Sequence, residues 1–325
     1  MRSHRFTIAR MPWLSGAAGV AIFLIAAAAC AADRSIVADA NSAKSLQESF
    51  RVAATPRIEI DNVRGSVQVN GWDRSEVELG GSLGSGSKLE ISVSAQELSM
   101  RVVAANTSWF GGNGPKNPSN LILHVPRNAV LDVRVVSADA QVRGVGGASL
   151  KVVGVSGKLD VQTSAPIIDV SSVSGVVAVS ATAMSDSVRV QSVSGDIRVE
   201  GVGGRIKLET VSGNLGLIAT RVQELNTGSV SGDANISVTL LPEARVHLES
   251  MSGDIHANLP TTLSARIDAN TFSGDIDSDY GRVANKRHGP GSSLNAVVES
   301  GDAQINVQTF SGDIQLRKVA ASLSK

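Results

Sequence analysis

A five-residue pattern, Val-Ser-Gly-Asp-Ile, sets the strongest limit on how this chain can fold. It stands complete at Val193-Ser194-Gly195-Asp196-Ile197 and returns through the C-terminal two thirds of the sequence. Ser-Gly pairs place their glycines at Gly157, Gly175, Gly195, Gly213, Gly232, Gly253 and Gly274. A degenerate copy, Ser137-Ala138-Asp139, lies one period upstream of Gly157. Beyond Gly274 the rhythm breaks: Gly301 follows after an overlong step and Gly312 after a short one. The overlong step contains a polar insertion from Arg282 to Ser293. A steady period of about twenty residues marks units that stack on one another.

The period from Asp196 to Gly213 shows what each unit is. Ile197 and Val199 alternate with Arg198 and Glu200, and Ile206 and Leu208 alternate with Lys207 and Glu209. Period-2 alternation puts one set inward and the other outward on a strand. Glycine punctuates both ends, so a period reads as two short strands joined by two tight turns. Four buried aliphatic side chains cannot offset the ordering of a whole period. Stacking closes that gap, because each unit then pairs and packs with its neighbours. Identical turns recurring once per two strands stack like on like in a two-faced parallel β-solenoid, which is the expectation; an antiparallel β-meander of the same strands is the alternative. From Asp139 to Asp313 there is room for about nine periods, or a rod of roughly 40 Å at about 4.8 Å per stacked strand.

Read in order, residues 1–32 form a secretory signal peptide: Arg2, Arg5 and Arg10 precede an apolar run from Trp13 to Ala29, and small residues follow. Cleavage after Ala32 fits a small-x-small rule, whereas lipidation would use Cys30 as the first residue and be the chain's attachment to a membrane. The body lies outside the cytoplasm either way, in the periplasm or at the bacterial cell surface. Residues 33–49 are small and polar and read as a linker. Residues 50–136 form a strand-rich N-terminal region that starts or caps the stack, interrupted by a Gly-, Pro- and Asn-rich loop from Ala105 to Asn120. Residues 137–319 are the repeat solenoid and 320–325 a tail. The whole chain balances 30 basic against 30 acidic residues, and loss of the leader arginines leaves it slightly acidic. No basic block exists, so nucleic acid is a poor partner. Cys30 is the only cysteine, so no intrachain disulfide forms.

The recurring aspartates Asp196, Asp233, Asp254, Asp275, Asp302 and Asp313 are the most tempting site residues. Stacked, Asp196, Asp233, Asp254 and Asp275 would form an acidic column able to attract Ca²⁺. Calcium takes six to eight oxygens, and one carboxylate per turn is thin; Lys158, Val176 and Asn214 hold the equivalent place in other turns. The simpler reading has glycine supplying a positive φ and aspartate accepting local N–H groups. His124, His247, His256 and His288 are scattered and lack a zinc-site spacing. No nucleophile triad or phosphate loop appears, and no cofactor is expected. Trp109 and Phe110 in the Gly-rich loop are candidate partner contacts, as are Arg282, Lys286 and Arg287 in the polar insertion.

Three features together resemble a known family. They are Ile60-Asp61-Asn62-Val63-Arg64-Gly65-Ser66-Val67 with Gly71-Trp72-Asp73, then Val135-Val136-Ser137-Ala138-Asp139, and the Ser-Gly-Asp-Ile series ending in Thr309-Phe310-Ser311-Gly312-Asp313-Ile314. The order of these motifs, over about 55–318, is similar to that of the bacterial DUF4097 proteins, β-strand-repeat proteins grouped as adhesin candidates. The resemblance implies an exported β-solenoid-like domain and brings no catalytic residues. The expectation is a non-catalytic protein with an adhesin-like or envelope-scaffold role, whose partner is an envelope protein or a surface glycan. The alternative is a carbohydrate-active β-helix enzyme, a glycan lyase or hydrolase, which needs a carboxylate pair at a non-repeating position.

Overall fold

The computed structural model describes residues 34–40, 44–104, 117–285 and 291–320. The leader with Cys30, the loop residues Trp109 and Phe110, and Lys286 and Arg287 lie outside the described residues. Among the described residues there is no helix.

The N-terminal end is built from β1 (Arg34–Ala40), β2 (Lys44–Arg51), β3 (Arg57–Trp72), β4 (Glu76–Leu83), β5 (Ser87–Val93), β6 (Glu97–Ala104) and β7 (Ser119–Pro126), followed by β8 (Val130–Val145). Strands β3 and β8 are long because each runs through a turn and so serves both faces. They pair in parallel along almost their whole length, from Arg57↔Val130 to Asn70↔Arg143. On its other side the first half of β3 pairs in parallel with β6 and its second half with β7. Antiparallel strands then finish each face, β5 and β1 beyond β6, and β4 and β2 beyond β7. Residues 33–49, expected to be a linker, therefore contain the two outermost strands. The polar composition hid a period-2 pattern: Leu46 and Phe50 fall on one side of β2 and are buried.

The body continues with β9 (Ser149–Ser156), β10 (Leu159–Thr163), β11 (Ile167–Ser174), β12 (Val177–Ala181), β13 (Ser187–Ser194), β14 (Ile197–Ser212), β15 (Leu215–Ser231) and β16 (Ala234–Ser252). Every pairing between these strands is parallel and lies one repeat apart. This is a two-faced parallel β-solenoid, not a meander. On one face Leu131, Leu150, Ile168, Val188, Ile206, Leu225 and Val246 form a buried column in register. On the other, Ala140, Leu159, Val177, Ile197, Leu215, Ala234 and Ile255 do the same. The inward set of one face packs on that of the other, which is the core.

The C-terminal end holds β17 (Ile255–Pro260), β18 (Ala265–Ser273), β19 (Ile276–Ser278), β20 (Ala284–Asn285), β21 (Ser292–Val298), β22 (Ala303–Ser311) and β23 (Ile314–Val319). Here the order in space departs from the order in sequence. The last coil, β22 and β23, lies between the coil of β16 and β17 and the coil of β18 and β19. Val246 pairs with Ile305, and Ile305 with Ile267; Ile255 pairs with Ile314, and Ile314 with Ile276. The backbone N–H of Gly253 donates to the Ser311 carbonyl and that of Gly312 to the Ser273 carbonyl, both at 3.1 Å. Strand β21 pairs antiparallel with β18 and closes its outer edge.

Candidate functional site

At the turn after the first face, polarity inverts along the coils from β11 onward. In the coil ending at Gly195, Val188 and Val190 point inward and are buried. The next inward position is Ser192, also buried, while Val193 points out and is about half exposed. Gly195 follows with φ +136°, and a Cβ placed on it would sit 2.1 Å from the carbonyl oxygen of Gly175 in the neighbouring coil. Only glycine lets successive turns approach this closely. The buried hydroxyls tie the edge together where they can reach: Thr271 Oγ1 donates to the Gly312 carbonyl at 3.0 Å and Thr309 Oγ1 to that of Gly253 at 3.4 Å.

The aspartates after the glycines form a hydrogen-bonded ladder. Asp196 Oδ1 accepts the backbone N–H of Asn214 at 2.8 Å, and Asn214 Oδ1 accepts that of Asp233 at 3.1 Å. Asp233 then takes Asp254, Asp254 takes Asp313, and Asp313 takes Asp275, at 2.8–3.0 Å. Each side chain thus secures the turn of the next coil with one oxygen. Asparagine does the same work as aspartate here, because an acceptor is what the position requires. The expected column exists, running Asp196, Asn214, Asp233, Asp254, Asp313, Asp275 in space. Asp302 is not in it; it receives a hydrogen bond from Ser300 at 2.8 Å near the start of β22. Among the described residues no three His, Cys, Asp or Glu side chains converge as a metal site.

The outward residue two places before each turn residue makes a second ladder, which the sequence reading overlooked. In spatial order it runs Val63, Val136, Val155, Val173, Val193, Val211, Val230, Met251, Phe310 and Phe272, all at least 38% exposed. The registers of the serines that follow, such as Ser174↔Ser194, Ser212↔Ser231, Ser252↔Ser311 and Ser273↔Ser311, align these residues into one straight stripe. The stripe ends in two phenylalanines stacked at 4.8 Å with 5° between their planes.

Beside its broad end lies an open groove of about 580 Å³, lined by Val230, Met251 and Phe310 on the stripe side and by Glu209, Glu249 and Gln308 on the face side. Gly228 makes the groove: it takes the face position between Glu209 and Glu249, where no side chain projects. Glu209 is fixed by Lys207 Nζ at 2.7 Å and by Gln191 Nε2 at 2.5 Å. The hydrogen bond from Lys207 holds its carboxyl below the usual glutamate range, against the opposing pull of burial, and Gln191 adds to the lowering.

The other candidate residues do not gather. His247 and His256 project from opposite faces, on either side of the Gly253 turn. Arg282 is exposed at the C-terminal end. Trp72 of the early motif donates its Nε1 to the Glu76 carbonyl at 2.9 Å and stacks its ring on His124 at 5.3 Å.

Residues 55–317 match the family profile described as Toastrack DUF4097. Among solved structures, a candidate adhesin from Bacteroides fragilis NCTC 9343 aligns with a TM-score of 0.40 and 11% identity, over 86% of this chain and 100% of that one. A candidate adhesin from Parabacteroides distasonis ATCC 8503 gives 0.40 and 12%, over 86% and 99%. A candidate cell adhesion protein from Clostridium sporogenes ATCC 15579 gives 0.24 and 10%, over 85% and 100%. No curated protein matches the chain.

Proposed function

The chain belongs to the Toastrack DUF4097 family, and from that premise we propose that it is a non-catalytic, exported binding rod that works through its outer surface. Its role is adhesin-like or that of an envelope scaffold. The observation that carries this reading is the turn edge. There a rigid, evenly stacked framework holds a continuous apolar stripe in solvent, where no fold requirement puts it. Water-exposed apolar ladders of this length mark interaction surfaces. The framework is stiff because backbone N–H groups of the turn glycines donate to carbonyls of the next coil and the Asp/Asn ladder adds a bond per coil from Asp196 to Asp275, so the stripe is presented at little ordering cost on binding.

A glycan-cleaving enzyme built on the Gly228 groove would use Glu209 and Glu249, which face each other across it, two coils or roughly 10 Å apart. One member of such a pair must keep its proton near neutral pH to act as the general acid. Lys207 pushes Glu209 the other way. The turn aspartates are equally poor candidates, since each repeats identically and spends an oxygen on the next coil.

The test is antibody access to an epitope tag placed after Lys325, on intact and on permeabilised cells, with glycan turnover by the purified chain measured alongside. Labelling of intact cells and no turnover is the expected result. Labelling only after permeabilisation would remove the adhesin-like role and leave an envelope scaffold. A glycan-cleaving activity abolished by Glu249→Gln would overturn the reading.

A further inference from the structure

We propose that the broad end of the stripe, from Val211 to Phe310, is a docking groove for an amphipathic helix carrying lysine or arginine along its flanks. The proposal rests on reading the chain as a binding rod and names the site and the chemistry of its occupant. Three observations point to it.

The stripe changes character along its length. Over most of the rod it is valine, and only at this end does it become Met251 and Phe310, 59% and 58% exposed. Here a missing side chain, at Gly228, opens a groove beside it. Large, adaptable apolar side chains beside a depression are the usual means of seating a partner's anchor residues.

The stripe also runs between two acidic rails. Glu209 and Glu249 line the groove on the face side, Glu209 already paired with Lys207 Nζ at 2.7 Å and Glu249 with His247 Nε2 at 3.5 Å. Asp233, Asp254 and Asp313 stand on the opposite side, each with one oxygen committed to the ladder and the other left over. Among the described residues these three aspartates make no ion pair. A second copy of the chain is a poor occupant. A two-fold axis along the rod would lay the aspartate rail of one copy on the glutamate rail of the other. An axis across the rod would lay each rail on itself. Both arrangements oppose like charges. A partner with an apolar centre and basic flanks meets both rails correctly.

The spacing then selects the shape of that partner. Stripe residues recur at intervals of about 4.8 Å. An α-helix returns a side chain to one face after about 5.4 Å. An extended peptide does so only after about 6.7 Å. Over the three steps from Val211 to Phe310 the helix drifts by about 2 Å and the extended peptide by about 6 Å, which is more than a full coil. A helix therefore keeps its apolar residues over Val211, Val230, Met251 and Phe310, and an extended strand does not.

The experiment uses the purified chain and a labelled synthetic helix of about eighteen residues, with leucines on one face and lysines flanking them. Binding is followed by fluorescence anisotropy. Met251→Asp and Phe310→Asp should each weaken binding about tenfold or more, and replacing the peptide lysines with glutamate should do the same. Val155→Asp, at the valine end of the same stripe, should change it less than about twofold. Rising salt should weaken it. Should Met251→Asp fail to fold, as judged by its thermal transition, Glu249→Lys at the groove rim replaces it, with about fivefold weakening expected.

Equal binding to the wild-type and Met251→Asp chains, or no binding, overturns the proposal. So does a dimer in sedimentation that Met251→Asp dissociates, which would make a second copy the occupant. Failure of the peptide on a chain whose tag is labelled on intact cells sinks this proposal alone and leaves the binding rod standing.

Discussion

Two glycines show how unequal the same residue type is in this rod. Gly195 has φ +136° and no room for a methyl group, its missing Cβ lying 2.1 Å from a neighbouring carbonyl. Gly228 sits in extended backbone, with only Glu209 Cγ in reach at 4.0 Å. Gly195→Ala should cost at least about 2 kcal/mol from strain and displacement of the adjacent turn. Gly228→Ala should be neutral or stabilise by up to about 1 kcal/mol. Equilibrium unfolding in denaturant compares the two.

Tyr280, the only tyrosine, offers a second residue-level test. Its hydroxyl donates to the Leu259 carbonyl at 3.1 Å, and burial, aided by the charge of Asp279, pushes its pKa up to about 12. A raised folded-state value means stability complete below the ordinary tyrosine pKa of about 10, then lost as pH rises from there through about 12. Absorbance of tyrosinate should therefore show a midpoint near 12 in the folded chain. A midpoint near 10 would show that the phenol is solvated. At this scale the sequence was informative about the turns and uninformative about their bonds. Asp196 reads correctly as a turn residue, but its acceptor role reaches a whole repeat ahead, to Asn214, and no local pattern displays that. The stripe was visible and missed: counting in twos from Val188 and Val190 puts Ser192 inside and Val193 out.

Among the elements, the last coil is the informative one. A sequential solenoid ends in its last repeat, which then frays. Here β22 has a parallel neighbour on each side, β16 and β18, although it lies near the C-terminus. Amide hydrogen exchange should accordingly find Ile305 and Val307 protected as strongly as Val190 in the middle of the rod, because each opens only when two neighbours do. A chain ending at Ser300 should lose protection throughout β18 as well, since β18 then keeps only its antiparallel partner β21. Retained protection of β18 in that truncated chain would mean the two ends of the gap close on each other. The uneven spacing of Gly274, Gly301 and Gly312 announced an interruption without revealing the insertion, because β22 has the same alternation as any other repeat strand. One clue was available. Thr-Phe-Ser-Gly-Asp-Ile occurs at 271–276 and again at 309–314, and nowhere else; those two copies are the ones that stack. The strand β2 was hidden for a different reason: its polar majority faces out, and only Leu46 and Phe50 report its buried side.

For the whole molecule, the two ends mirror each other. At the N-terminal end β3 lies between β8 and the later pair β6 and β7, and at the C-terminal end β22 lies between β16 and the earlier β18. The coil of β3 and the coil of β22 and β23 are thus both interior. Stacked repeats ordinarily unfold from their ends, coil by coil. This rod should instead unfold with its ends coupled to its middle. In a Trp13→Phe, Trp109→Phe background, fluorescence from Trp72 at one end and absorbance from Tyr280 at the other should trace coincident denaturant transitions. Separate midpoints would mean the ends melt independently. The period foretold the stacked body of the rod, and the ends escaped it because closure is set by pairing partners far apart in the chain.

The swapped order of the final coils also bears on how such a molecule is made. A chain emerging from a ribosome or a translocation channel can zip coil upon coil as far as β17, but β18 and β19 cannot take their final places beside it. They must wait, with a slot one coil wide, until the end of the chain arrives to fill it. A product terminated before β22 should therefore keep two unpaired strand edges in its wall, available to proteases and to chaperones. Sealing of this end of the rod therefore waits on β22 and β23, the strands that lie between the two coils.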